Sequence, residues 1–176
     1  MIETARLTLI PATVESLQAD LTNATALGEL LGARVPANWP PDLYDHDPIV
    51  WTIHQLTTRP EAAGWLLYYF AEKSVPVRTL VGCGGYKGPP LDGTLEIGYS
   101  ILEQYRRRGY ASEATQALVD RAFADPGVER VIAETLPGLD PSIGVMLKCG
   151  FAPADEEASG AGILRYVLAR DAWRDG

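Results

Sequence analysis

Arg6-Leu-Thr-Leu-Ile10 alternates as a half-buried strand must, since successive strand side chains point to opposite faces, and Pro11 closes it. Thr13, with Glu15 in the first turn, opens a predicted helix to about Asn23, and Ala24 to Leu31 is a second, stopped by Gly32. From Arg34 to Pro48 four prolines accompany Trp39, Asp42, Asp45 and His46, which predicts irregular chain. Asp47-Pro48 then starts a helix over Ile49 to Leu56: Asp accepts from a free backbone N–H, and Pro at the first helical position loses no needed donor.

The period changes in the centre. Trp65 to Phe70, Thr79 to Tyr86 and Thr94 to Ile101 are rich in aromatic and β-branched residues and read as three strands, joined by links short enough for antiparallel hairpins. After Gly109, Ala114, Ala117, Leu118, Arg121 and Ala122 recur at helical spacing up to Asp125-Pro126-Gly127, and Arg130 to Glu134 is again a strand. Asp140-Pro141 repeats the helix start, Ile143, Met146 and Leu147 form an apolar stripe, and Gly150 ends it. A strand opening at Phe151 and another over Ile163 to Leu168 complete a mixed α/β pattern without internal repeat or linker, read as one domain over residues 1–176.

Composition narrows the classes. In 176 residues, 15 Lys+Arg stand against 23 Asp+Glu for a net charge of -8, which argues against wrapping nucleic acid. The most apolar stretch, Trp65 to Ala71, falls far short of the roughly 18 residues of a membrane span, and no signal-peptide block precedes the first strand, so the expectation is a cytoplasmic protein with no membrane partner. Cys83 and Cys149 have no neighbours at metal-ligand spacing, so neither a disulfide framework nor a metal site is expected.

Chemistry concentrates in Arg106-Arg-Arg-Gly109-Tyr110-Ala111-Ser112-Glu113-Ala114, after a strand and before a helix. Free amides and the positive dipole end at a helix N-terminus form an anion site, and Gly lets phosphates approach the backbone. The other reading is a solvated basic turn before an ordinary helix. Gly82-Cys-Gly84-Gly85 has the wrong spacing for a dinucleotide fingerprint and reads as a packed glycine-rich strand. No Gly-x-Ser-x-Gly elbow occurs.

Arg106-x-x-Gly109-x-Ala111 resembles the pyrophosphate signature of the GNAT acyl-CoA N-acyltransferases. Glu96-Ile-Gly-Tyr99, Tyr105 to Ala114, Ser142 to Phe151 and the opening Arg6-Leu-x-Leu9 together resemble the RimJ/RimL-type branch across nearly the whole chain. The resemblance implies a single GNAT-like domain: a central twisted, mostly antiparallel sheet, flanked by helices and splayed between its fourth and fifth strands, with acetyl-CoA as cosubstrate in the opening. It implies pyrophosphate on the amides of Arg107 to Ala111 with Arg106 and Ser112 adjacent, and a thioester carbonyl held by a backbone N–H at Ile101 or Leu102 near a bulge, which amounts to an oxyanion hole. It also makes Glu96 the candidate base and Ser142 the candidate donor to the departing thiolate; a solvent-facing strand residue and an ordinary first-turn serine are the plainer readings. The chain departs from the family pattern at Leu139, where many relatives have Asn, and at Met146, where many have a Tyr acid.

The resulting expectation is direct acetyl transfer to a primary amine, either a protein N-terminus or a small amine or amino-acid derivative, on a protein with homodimerisation open. The alternative is a non-catalytic acyl-CoA-binding or interaction module on the same fold. Trp39, Trp51, His46 and His54 are candidate acceptor contacts, and Asp42, Asp45 and Asp47 a possible attractor for a cationic acceptor or simply a solvated loop.

Overall fold

A computed structural model describes residues 1–44, 46–73, 76–155 and 158–174. Strands β1 (Ile2–Glu3) and β2 (Leu7–Pro11) lead into helices α1 (Val14–Thr22) and α2 (Ala24–Leu31), strand β3 (Ala33–Arg34) and helix α3 (His46–Thr58). Strands β4 (Leu67–Glu72), β5 (Arg78–Tyr86) and β6 (Thr94–Ile101) follow, then α4 (Tyr110–Phe123), β7 (Arg130–Thr135), α5 (Asp140–Lys148), β8 (Ala152–Pro153), β9 (Leu164–Ala169) and α6 (Arg170–Arg174). Among the described residues, the pattern-based reading lacked the two-residue strands β1 and β3, the short α6 and two single 3-10 turns at Pro60–Ala62 and Glu103–Tyr105, pieces too brief to show a period.

The strands form one mixed sheet in the order β1-β2-β4-β5-β6-β7-β9-β8, with β3 pairing on β5. Only β3–β5 and β6–β7 are parallel. Residues alternate between two cores along the central strands: Tyr68, Phe70 and Val81 pack with Leu118, Phe123 and Met146 of α4 and α5, while Tyr69, Ala71, Leu80 and Cys83 pack with Leu17, Leu27 and Ile49 of α1 to α3. Burial on both faces explains why these strands read as continuous apolar runs. The glycine-rich stretch is a packing device, because a Cβ on Gly84 would sit 2.5 Å from the Gly98 carbonyl oxygen and 2.8 Å from the Phe70 ring.

The sheet opens where the resemblance implied. β6 pairs with β7 from Thr94↔Arg130 to Ile97↔Ala133 and no further, although β6 continues to Ile101 against β5 and β7 continues to Thr135 against β9. Gly98 to Ile101 therefore have an edge without a strand partner in the middle of a sheet. No described helix is long and apolar enough to cross a membrane.

Candidate active site

The unpaired edge of β6 presents specific backbone groups. The Leu102 N–H donates to the Val81 carbonyl at 2.9 Å, and Lys87 N–H donates to Glu96 O at 2.9 Å, so even-numbered residues of β6 face β5. Strand amides alternate sides, which turns the N–H groups of Tyr99 and Ile101 into the opening. This corrects one expectation: Leu102 is occupied by the ladder, and Ile101 carries the amide available there. The bulge expected at this strand end is not on β6, since the β5–β6 register runs unbroken; the ladder shifts between β4 and β5, where Phe70 and Ala71 pair with Gly82 and Leu80 and Val81 is the extra residue.

Beyond Leu102 a tight turn leads into α4. Gly109 caps the helix at φ 82° with no side-chain capping bond, so the first-turn amides of Tyr110, Ala111 and Ser112 lack helical partners. Arg107 also adopts a left-handed conformation at φ 59°, costly for a residue with a Cβ. Arg106 is engaged within the chain: its Nε donates to Ile101 O at 3.0 Å and its Nη2 contacts Asp42 Oδ2 at 2.5 Å. It acts as a strap between the edge of β6 and the loop before α3. Arg107 and Arg108 remain exposed, with the Arg108 guanidinium 5.4 Å from the centre of the Tyr105 ring.

The turn is braced by Arg6, whose Nη1 donates to the Arg108 carbonyl at 2.8 Å while its Nε pairs with Glu113 Oε2 at 2.7 Å. Its guanidinium lies 4.7 Å from the Tyr110 ring centre. Burial alone would raise the Glu113 pKa, but hydrogen bonds from the Thr4 hydroxyl, the Arg6 amide and the Arg6 side chain outweigh it and hold the carboxyl below its ordinary value.

A cavity of about 420 Å³ occupies the opening, lined by both predicted chemical residues, Glu96 and Ser142, together with Tyr99 and Met146. Glu96 and Tyr99 differ by an odd number of positions on β6 and point to opposite faces, so the cavity passes through the sheet. Glu96 is 22% exposed and forms an ion pair with Lys87 through Oε1. On the other face the Tyr99 hydroxyl donates to the Ser142 carbonyl at 3.1 Å and lies 3.4 Å from Ser142 Oγ. Burial, only partly offset by that serine, pushes the Tyr99 pKa up to about 12, so the phenol stays a proton donor. Ser142 does not cap α5: its amide bonds to Leu139 O at 2.9 Å, and no side chain caps that helix. Leu139, in the N-cap position, is 43% exposed, and Met146 is buried.

Trp51 lines the cavity, as do Leu43, Pro48 and Thr52 around it. Trp39 does not; it donates to Asp20 Oδ1 at 2.6 Å and packs against Tyr69 in the second core. His46 pairs with Asp47 outside the cavity, and His54 is exposed beyond it. Asp42 is held by Arg106, and Asp45 lies outside the described residues. Sequence reasoning had not singled out Lys87 or the Tyr99 hydroxyl, because both join the site through strand register and a contact to α5. Both cysteines are buried; desolvation raises both thiol pKa values, that of Cys149 to about 11, which disfavours a thiolate nucleophile. Among the described residues no cluster of His, Cys, Asp or Glu could hold a metal.

Residues 6–152 match the acetyltransferase (GNAT) domain family, and the chain belongs to the GNAT acetyltransferases. It is 42% identical to the uncharacterized N-acetyltransferase YnaD of Bacillus subtilis (strain 168) over 57 residues, 32% of this chain; the match spans 34% of YnaD, about a third of its length. Its fold resembles an acetyltransferase from Agrobacterium tumefaciens str. C58, with a TM-score of 0.66 at 21% identity over 96% of this chain and 94% of that one. It also resembles the microcin C7 self-immunity acetyltransferase MccE solved with acetyl-CoA and AMP, with a TM-score of 0.62 at 16% identity over 94% and 93%.

Proposed function

We propose that the protein is an acetyl-CoA-dependent N-acetyltransferase acting on a primary amine by direct attack in a ternary complex. One observation carries the reading: a single cavity runs through the opened sheet with Glu96 on one face, Ser142 and Tyr99 on the other, and the Ile101 amide facing the gap. The opening and the uncapped first turn of α4 fit an acyl-CoA, whose pyrophosphate would be held by the amides of Gly109 to Ser112. Acetyl-CoA supplies the activated acyl group.

The amine enters from the Glu96 side and its nitrogen forms a bond to the thioester carbon. Charge gathering on the carbonyl oxygen is met by the Ile101 N–H, where a preorganised donor contributes most. The extra proton on nitrogen passes to the Glu96 carboxylate, directly or through water. As the carbon–sulfur bond breaks, the thiolate, conjugate base of a thiol with pKa about 8.5, accepts a hydrogen bond from Ser142 Oγ backed by the Tyr99 hydroxyl. Met146 supplies no proton, which leaves these two hydroxyls as the donors at that end. The matching motif blocks support assignment to the RimJ/RimL-type branch.

Steady-state kinetics test the mechanism: intersecting double-reciprocal lines are expected, with Glu96→Gln lowering kcat about 100-fold. An isolable acetyl-enzyme with parallel lines would overturn it. Stabilisation by acetyl-CoA without turnover of any amine would favour the non-catalytic acyl-CoA module, and acetyl-CoA at about 100 times its Kd adds about 2.7 kcal/mol, which a thermal melt detects.

A further inference from the structure

The charges that reach the cavity are balanced one against another. Glu96 is paired with Lys87. Glu134, the other carboxylate on the wall, is 6% exposed and accepts from Arg165 Nε and Nη2 at 2.9 and 2.7 Å as well as from the Ser159 amide at 2.9 Å. Burial would raise its pKa, but the Ser159 and Arg165 bonds prevail and keep it below its ordinary value, so it is a locked anion with its partners in place. Outside the cavity, Asp42 is tied to Arg106 and Asp47 to His46. A second positive charge on an acceptor would therefore find both carboxylates on the cavity wall, Glu96 and Glu134, already paired with a cation, and desolvating an uncompensated ammonium is costly.

The walls on the acceptor side are apolar. Leu43, Pro48, Trp51 and Leu67 line them, with Tyr86 nearby. Leu43 and Trp51 are 77% and 43% exposed and meet on the wall of one cavity, where an apolar ligand portion would cover both. Leu43 is also held at φ 68°, a conformation unfavourable for a branched residue. A cavity of this size and lining suits one compact, mostly apolar ligand portion with a single polar anchor.

Resting on the acetyltransferase reading, we infer that the acceptor is a small monoamine with an apolar, preferably aromatic, body: its amino group meets Glu96 and its body packs on Trp51, Leu43 and Pro48. Polyamines are disfavoured by the paired charges, and Lys87 is the residue that enforces this. An incoming ammonium must compete with Lys87 for Glu96, and a second one repels it.

The test measures CoA release from acetyl-CoA with phenethylamine, hexylamine, putrescine, spermidine and a tripeptide with an N-terminal serine, using wild type, Trp51→Ala and Lys87→Gln. The expected order of kcat/KM is phenethylamine, hexylamine, then the polycations. Trp51→Ala should lower phenethylamine turnover about tenfold and hexylamine less, consistent with the loss of an aromatic contact. Lys87→Gln should raise putrescine and spermidine turnover relative to phenethylamine. Spermidine or the tripeptide outrunning the monoamines in wild type would overturn the inference while leaving acetyl transfer intact. Polyamine selectivity unmoved by Lys87→Gln would overturn the role of that residue. Turnover of none of the amines by protein that acetyl-CoA stabilises would overturn the acetyltransferase reading itself, and the acceptor class with it.

Discussion

Where we place the acyl-CoA, the groups facing the gap and the turn are backbone amides drawn from one short stretch of chain, that of Ile101 and those of the first turn of α4. Where we place the acceptor they are side chains from the loop before α3, α3 itself, β4, β5, β6 and β7. The first kind of site depends on main-chain conformation, so its accuracy is set by whatever holds the turn. The second depends on distant segments arriving in register, so its chemistry varies with single substitutions while the fold persists.

The cofactor end can be broken selectively through its brace. Arg6→Ala removes the donor to the Arg108 carbonyl, the ion pair to Glu113 and the guanidinium over the Tyr110 ring, at a residue that is itself exposed. A charge-assisted hydrogen bond contributes about 1.5 kcal/mol or more, so KM for acetyl-CoA should rise about tenfold with kcat nearly unchanged. KM for acetyl-pantetheine, which lacks the pyrophosphate, should not move. Equal losses with both thioesters would mean that Arg6 supports the fold in general rather than this turn.

The same contrast governs what the sequence discloses. The turn before α4 is legible because Gly109, at φ 82° ahead of the helix, leaves a local signature that strand-then-helix spacing exposes. The element order is legible because apolar alternation along β4 and β5 follows burial on two faces. Trp39 and Trp51, by contrast, lie in one irregular stretch and its following helix, and nothing local distinguishes the one that seals a core against Asp20 from the one that lines the cavity. Choosing Ile101 over Leu102 required strand parity, a property of pairing with β5. That Arg106 ties down Asp42, 64 positions away, likewise had no local sign.

On the face opposite Glu96, the Tyr99–Ser142 pair offers a finer probe. If the two hydroxyls act together on the leaving thiolate, Ser142→Ala and Tyr99→Phe should each lower kcat about fivefold, and the double variant should lose little more than either alone. The alkaline limb of the kcat profile should stay in place, because the Tyr99 phenol, pushed up to about 12, does not titrate in the working range. Fully multiplicative losses would separate the two roles and leave Tyr99 a packing residue.

The smallest expected effect concerns stability and again divides the two ends. Glu113 has a depressed pKa in the folded protein, so the stability it contributes is present above the ordinary carboxyl value of 4.5 and is lost as pH falls through its folded value. Glu113→Gln should cost under about 1 kcal/mol at neutral pH, a fall in Tm of roughly 2–4 °C. The gap between variant and wild type should close on acidification below 4.5, where the wild-type carboxylate becomes protonated and the Arg6 pair is lost. Since that pair also holds the Arg108 carbonyl, acetyl-CoA affinity should weaken over the same pH range in wild type and less in the variant. A gap that persists to low pH would mean that Glu113 acts through hydrogen bonding alone, and that the charge on Arg6 is not what keeps the anion turn in shape.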